Sequence, residues 1–217
     1  MKKRLTAVAT LVVSVAVGFL VVGPVVSERA TTEPVLSVLN SCGIITDGEG
    51  WGSCVAIESD LLLTAAHCLK HDGVWVESAG KRYEIVEQWT NDNYDIGFVR
   101  VAGTLPVVKL GPMPRVLDEV YIVGTPRGVE FLNLITSGVV CKLDLQYADS
   151  NVNWTGDFVC DAMAWRGNSG GPVLNEQGQI VGIYVGLFTD VDNFSVCVPV
   201  SQIRIALGEY QNQLATD

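Results

Sequence analysis

The chain has 217 residues, 22 of them glycine, and only 18% of its residues are charged. That length and composition suit one globular unit with a sizeable core. The formal net charge of −10 argues against a nucleic-acid partner, because binding to phosphate backbones depends on clustered lysine and arginine.

The N-terminus joins a basic start to a long apolar run. Three basic residues precede a stretch from residue 5 to 26 that carries no charge and is interrupted by Pro24. This pattern is typical of an export signal, although the run exceeds the usual signal core of about 7–15 residues and approaches the roughly 20 residues of a membrane-spanning helix. Residues 1–27 are therefore interpreted either as a cleaved signal peptide or as a retained signal anchor. Residues 28–217 would then be delivered out of the cytoplasm, as a secreted, periplasmic or other extracytoplasmic domain.

The six cysteines all follow this segment. An even number in an exported domain fits up to three disulfides in an oxidising compartment. Metal binding is the competing interpretation, but no Cys-x-x-Cys pair occurs, and His67 and His71 are the only histidines. These are too few for the usual zinc spacings, so neither a metal nor a cofactor is predicted.

Short runs with strand character recur from about residue 35, and Asp-Gly or Asn-Asp pairs that favour turns separate several of them. In the first half these runs cover residues 35–45, 53–57, 61–64, 73–76, 82–86 and 96–101. A proline-rich connector at about 105–115 leads to a second set at 119–123, 130–143, 158–163, 179–187 and 194–200. Many short strands with regular turns favour a barrel or a sandwich. The sequence therefore predicts two similar β-units, at about 35–104 and about 116–200.

The tail differs from both β-units. Four apolar residues at helical spacing follow a possible serine cap at Ser201, and they are Ile203, Leu207, Tyr210 and Leu214. We expect an amphipathic helix at about 201–214 that packs against the β-body.

Three segments carry residues suited to nucleophilic catalysis. His67 follows a strand-like run, Asp95 stands directly before the apolar run 96–101, and Ser169 is surrounded by glycines. A serine hydroxyl is a poor nucleophile unless an imidazole takes its proton, and that imidazole needs a buried carboxylate to fix its tautomer. Flanking glycines allow the backbone to aim N–H groups at a developing oxyanion.

Each of these residues also has a competing interpretation. His67 alone could be a core histidine, whereas His71 in a Lys-His-Asp-Gly turn is typical of a solvated residue. Asp92 is a rival for Asp95, but the strand-like run begins directly after Asp95. Ser169 has no competitor in a comparable glycine context, and no cysteine occupies its position.

In this chain order and in these contexts, His67, Asp95 and Ser169 resemble the catalytic triad of the chymotrypsin-like serine proteases, and the HtrA/Deg-like branch is the most similar. Residues 110–128 and 136–140 resemble the same branch, as does the Asp-Ala pair shortly before the nucleophile. The resemblance spans about residues 35–213. It implies an all-β fold of two six-stranded antiparallel β-barrels with a C-terminal α-helix, and a triad in the cleft between the barrels.

The resemblance also implies the roles of the site residues. His67 would act as general base and then acid, Asp95 would orient it, and Ser169 would be the nucleophile. The backbone N–H groups of Gly167 and Ser169 would form the oxyanion hole. Asn168 stands where most digestive relatives have an aspartate that binds a new N-terminus, so activation by N-terminal insertion is not expected.

Two further expectations follow from comparison with the family. The HtrA/Deg-like branch commonly carries PDZ domains, and we expect none here because few residues follow the second β-unit. Cys54 and Cys68 resemble the histidine-loop disulfide of classical trypsin-like enzymes. Two additional pairings complete the predicted set: Cys141 with Cys160, and Cys42 with Cys197.

The same pattern places a substrate pocket. The S1 residues would be Met163, Ala164, Trp165, Val185, Gly186, Leu187 and Ser195. These residues are mostly apolar, so a small or medium apolar P1 side chain is expected. The resemblance therefore predicts a serine endopeptidase that acts on protein or peptide substrates. The alternative is a catalytically silent binding or envelope-assembly module with a protease fold.

Overall fold

The computed structural model describes residues 33–148, 153–188 and 194–216. The predicted signal segment 1–27, with the apolar run 5–26 proposed as an anchor, lies outside these residues. None of the described helices is long and apolar enough to span a membrane.

The described strands form two closed, six-stranded antiparallel β-barrels, which confirms the predicted fold class. In the first barrel the strand order is β1-β2-β3-β6-β5-β4, and β4 pairs with β1 to close it. Its strands are β1 (Cys42–Thr46), β2 (Trp51–Ala56), β3 (Leu61–Ala65), β4 (Trp75–Ser78), β5 (Lys81–Asn91) and β6 (Ile96–Val101).

The second barrel has the order β10-β11-β12-β9-β8-β7 and is closed by pairing of β7 with β10. Its strands are β7 (Glu119–Gly124), β8 (Leu134–Ala148), β9 (Asn153–Cys160), β10 (Pro172–Leu174), β11 (Ile180–Leu187) and β12 (Ser195–Pro199). Strand β10, directly after the glycine-rich segment, was not predicted. It is only three residues long, which is too short for a visible alternation.

Two predicted strand runs begin with other structure. Residues 35–45 form helix α1 (Glu33–Ser37), a 3₁₀ turn (Leu39–Ser41) and only then β1. Val35 and Val38 are both buried and lie three residues apart, a spacing that serves a helical turn rather than a strand. Likewise, the run 130–143 starts in a 3₁₀ turn (Gly128–Phe131) before β8.

Helix α2 (Val200–Leu214) follows the second barrel, contacts its strands β11 and β12, and also packs against the first barrel. The Tyr210 ring stacks on Phe98 with a centroid distance of 5.5 Å and lies 6.0 Å from Trp89. Its hydroxyl donates to Glu87 Oε1 at 2.8 Å and accepts from Arg100 Nε at 3.0 Å. The C-terminal helix thus fastens the chain back onto the first barrel.

The start of α2 differs from the prediction. Pro199, in an extended conformation, occupies the cap position, and Ser201 lies inside the first turn. Ile203 and Tyr210 are buried as expected, but Leu214 is exposed. It is the last residue of the helix, and no strand of the barrels covers it there.

Candidate active site

The pairing of β3 with β6 brings His67 and Asp95 together. These strands pair with Ala65 opposite Ile96, so the residues just after β3 and just before β6 emerge at the same end of the barrel. The Ala66 amide donates to the Asp95 carbonyl at 3.1 Å. The sequence predicted both strand ends, and this register explains why two residues far apart in the chain become neighbours.

The carboxylate of Asp95 holds His67 at two points. His67 Nδ1 lies 2.6 Å from Asp95 Oδ2, and the His67 backbone N–H donates to Asp95 Oδ1 at 2.9 Å. Asp95 reaches this position with φ of 53°, a left-handed conformation that aspartate tolerates better than most residues. With Nδ1 engaged, the other ring nitrogen is available for proton transfer.

Electrostatics favour the protonated imidazole of His67. Burial disfavours the charged form, but the hydrogen bonds to Asp95 and to the Cys68 side chain outweigh it and raise the pKa of His67 above its ordinary value. A carboxylate that binds Nδ1 stabilises the imidazolium in this way. Asp95 therefore stabilises the imidazolium form of His67, and the ring must lose this proton before it can act as a base.

Ser169 comes from the second barrel, and the first barrel holds its loop. The Ser53 backbone N–H donates to the Ser169 carbonyl at 2.7 Å, and the Ser53 hydroxyl donates to the Gly167 carbonyl at 2.7 Å. The same hydroxyl accepts from the Thr125 amide at 2.9 Å. Ser53 is buried on β2, so one residue of the first barrel fixes both carbonyls of the loop.

At two positions of this loop, a residue other than glycine would be strained and would clash with its neighbours. Gly167 has φ of 101° and Gly170 has φ of 82°, both in the left-handed region that favours glycine. A Cβ on Gly167 would lie 2.6 Å from the Thr125 carbonyl, and one on Gly170 would lie 2.4 Å or less from Ser53 and Thr64 atoms. The sequence identified these glycines as turn residues, and the structure adds that the first barrel packs directly against them.

The backbone amides of Gly167 and Ser169 are the predicted oxyanion donors. Neither N–H donates a hydrogen bond to any of the residues that the structure describes. The oxyanion hole at Gly167 and Ser169 stays a prediction.

A cavity of about 270 Å³ joins the predicted catalytic residues. His67, Ser169 and Gly167 line it together, with Trp51 and Arg166 at its wall. A neighbouring cavity of about 360 Å³ lies on the Asp95 side of His67. Within the described chain, no hydrogen bond joins the His67 ring to the Ser169 hydroxyl. Such bonds are often long before substrate binds.

The rival residues lie at the surface. The His71 side chain is 71% exposed and its Nδ1 is 3.8 Å from Asp47 Oδ2. The Asp92 carboxylate is 73% exposed and lies 3.8 Å from Lys70 Nζ. His71 therefore does not take the place of His67, and Asp92 does not take the place of Asp95, in the hydrogen-bonded pair.

The predicted S1 residues differ in their burial. Ala164, Val185 and Ser195 are buried, Gly186 and Leu187 are half-buried, and Met163 and Trp165 are exposed. Val185 lines the cavity beside Asp95. The Ser195 hydroxyl donates to the Ala162 carbonyl at 2.6 Å and is therefore already engaged.

The cysteines differ from the predicted pairings, since all six are free thiols in the structure. Cys160 Sγ lies 3.9 Å from Cys197 Sγ. Cys141 follows Val140, which pairs with Cys160, and successive side chains of a strand point to opposite faces. The pairing is irregular at this point, and Cys141 lies near enough to Cys160 for an electrostatic interaction, but no bridge joins the two sulfurs.

The other two predicted pairings also lack a bridge. Cys42 packs in a cluster that spans the two barrels, whereas Cys197 lies inside the second. The Cys68 sulfur packs against Gly52, two residues before Cys54, although Cys54 and Cys68 interact electrostatically. Burial raises the pKa of the Cys42 thiol to about 12, which makes it a poor nucleophile.

Sequence reasoning missed two residues that the structure brings to the site. Ser53 has no local signal, because its role depends on contacts between the barrels. Asp157 is a buried carboxyl residue on β9 that lines the cavity beside His67 and Asp95. An acidic residue within a strand of apolar neighbours could have drawn attention to it. Among the described residues, no group of three or more acidic, histidine or cysteine side chains is arranged to hold a metal ion.

Two closed barrels, with a histidine–aspartate pair on one and a glycine-flanked serine on the other, define the class of double-barrel serine peptidase folds. Residues 52–183 match the family model of the trypsin-like peptidase domain, and the chain belongs to this family. It is 31% identical over 172 residues to Protease Do-like 2, chloroplastic, of Arabidopsis thaliana, which covers 74% of this chain and 28% of that protein.

A second curated relative and a solved structure are also similar to this chain. The putative serine protease HhoA of Synechocystis is 29% identical, over 76% of this chain and 43% of its own length. This chain thus spans less than half the length of these curated relatives. In structure it is similar to the active form of the Rv3671c protease of M. tuberculosis, with a TM-score of 0.71, 19% identity, and coverage of 82% of this chain and 83% of that one.

Proposed function

We propose that the protein is a serine endopeptidase in which Ser169, His67 and Asp95 form the catalytic triad. The observation that carries the proposal is the doubly held pair of His67 and Asp95, which opens on one cavity with Ser169 and Gly167. Family membership supports the same reaction class. Protein or peptide chains would be the substrates.

The proposed reaction is acyl transfer. Ser169 Oγ attacks the scissile carbonyl carbon while His67 Nε2 takes the hydroxyl proton, and the amides of Gly167 and Ser169 bind the oxyanion. When the C–N bond breaks, His67 gives that proton to the leaving amine. A water molecule then attacks the acyl-enzyme with His67 again as base, and Ser169 is regenerated.

The proposed P1 preference is for small or medium apolar side chains. Ala164 and Val185 are buried apolar residues near the loop, and the Ser195 hydroxyl is occupied by Ala162. None of these residues offers a free polar group that would bind a charged P1 side chain. Export, with residues 1–27 as a signal peptide or an anchor and with disulfides formed outside the cytoplasm, is part of the same proposal.

Labelling with a fluorophosphonate probe tests the reaction class. We expect the wild-type protein to be labelled and Ser169→Ala to remain unlabelled. Ser195→Ala is the matched control and should be labelled, because its hydroxyl is buried and engaged. A wild-type protein that stays unlabelled over a range of pH would favour a silent binding module instead.

Cleavage of a peptide library by the wild-type protein, with Ser169→Ala as background, tests the P1 preference. Enrichment of alanine, valine or similar residues at P1 is the expected result. A preference for arginine, lysine or glutamate would contradict the pocket assignment.

A further inference from the structure

One buried carboxyl group beside the site has no part in the proposed reaction. Asp157 lies on β9 after Gly156, and it is only 5% exposed. Its side chain lines the cavity of about 360 Å³ whose wall also includes His67 and Asp95. Besides Asp95, which holds His67, the cavity is lined by two more carboxyl groups, the exposed Asp92 and the buried Asp157.

Asp157 has no compensating partner. Within the described chain, no hydrogen bond or ion pair reaches its carboxylate. Buried carboxylates are normally paired or hydrogen-bonded, because removing their charge from water is costly. Burial, followed by the negative charge of Asp95, raises the pKa of Asp157 to about 7. Its protonation state therefore changes near neutral pH.

The other groups around Asp157 do not neutralise it. The turn before β6 contributes Asp92, Tyr94 and Asp95, the segment after β3 contributes His67 and Lys70, and β12 contributes Cys197. Lys70 Nζ lies 3.8 Å from Asp92, and both side chains are largely exposed. Besides Lys70, the group lining this cavity that can carry a positive charge is the partly buried His67 ring once it is protonated.

We infer that Asp157 is a positioning residue of the triad. Its charge acts on His67 across the cavity that it shares with Asp95, and it sets the pH at which His67 loses its proton. This inference rests on the proposed function. An ionised Asp157 adds a second negative charge on the Asp95 side of the imidazole and stabilises the imidazolium. A protonated Asp157 does not. The group therefore adjusts the basicity of His67 without contacting the substrate.

Titration of His67 by NMR tests the inference directly. The chain has only two histidines, so histidine-labelled protein gives two imidazole signals, and His71→Asn assigns them. In Asp157→Asn we expect the pKa of His67 to fall by about half a unit or more. Asp92→Asn, which removes an exposed carboxylate from the same cavity, should shift it by less than half as much.

A measurement on the unaltered protein guards against a variant that fails to fold. In the wild type, the His67 signal should show a second inflection where Asp157 titrates. A single inflection, or an unchanged His67 pKa in folded Asp157→Asn, would overturn the inference. Fluorophosphonate labelling of the same samples separates the two proposals. A labelled protein with an unmoved His67 pKa refutes only the role of Asp157, and an unlabelled wild type with the expected titration refutes only the peptidase function.

Discussion

Ser53 provides a sharp test of how the two barrels build the site. Replacement by alanine removes the hydroxyl that donates to the Gly167 carbonyl and accepts from the Thr125 amide. Both backbone groups would then be buried without this partner, at a cost of about 1–3 kcal/mol of folding free energy for each unsatisfied group. The Gly167–Asn168 peptide would also lose this anchor, so the adjoining amides of Gly167 and Ser169, the proposed oxyanion donors, could shift; loss of one oxyanion donor lowers turnover by about 100- to 1,000-fold.

Because the peptide can retain the correct orientation part of the time, we expect a smaller loss for Ser53→Ala, about 10- to 100-fold in kcat with little change in KM. Kinetics on a library-selected peptide and urea unfolding measure both effects. Ser78→Ala is the matched control, since Ser78 is equally buried on β4 and its hydroxyl donates to the Cys42 carbonyl at 2.7 Å, away from the cleft. It should lose stability but keep kcat. If Ser53→Ala keeps wild-type kcat, or if Ser78→Ala loses as much, the assigned role of Ser53 is wrong.

Three further predictions concern the rest of the fold. Tyr210→Phe keeps the ring stacking but loses the bonds to Glu87 and Arg100, so urea unfolding should show a loss of about 1–2 kcal/mol. Tyr121→Phe, which loses the hydroxyl's bond to the exposed Glu119, should lose less. Mild oxidation should join Cys160 to Cys197, whose sulfurs are 3.9 Å apart; a peptide map with Cys141 joined to Cys160 would contradict this geometry. For Asp157 the folded pKa of about 7 exceeds the ordinary 3.8, so stability falls as pH rises from about 4 to 7. Asp157→Asn removes this dependence and should gain up to about 4 kcal/mol over the wild type between pH 4 and pH 8. Equal pH slopes in the two proteins would count against burial of the carboxyl group.

The elements that could be predicted are those whose signal is local. The runs at β3 and β6 are apolar and bounded by turn residues, so both strand ends, and with them His67 and Asp95, could be located from the sequence. Ser169 could be located in the same way, because the glycines that flank it indicate a loop with unusual φ angles. The helix at the C-terminus followed from spacing alone, although its cap did not.

What could not be predicted depends on contacts between distant segments. The alternation of β9 says nothing about which neighbour covers a given face, so the position of Asp157 beside Asp95 emerges only when the barrels dock. Ser53 is an ordinary strand serine until the Gly167 carbonyl reaches it. Cysteine pairing fails for the same reason, since the register of β8 against β9, with its irregularities, decides which thiols meet.

These non-local contacts also determine how the proposed site would respond to pH. Asp157 and His67 lose their protons in one cavity, and each ionisation alters the proton affinity of the other. Once Asp157 is charged, removal of the His67 proton becomes harder, so the two steps spread apart rather than coincide. The rise of activity with pH should therefore be more gradual than the titration of a single group, and it should sharpen to a single-group curve in Asp157→Asn. A rate–pH curve of equal steepness in both proteins would mean that Asp157, although it lines the same cavity as His67, does not affect the protonation of His67.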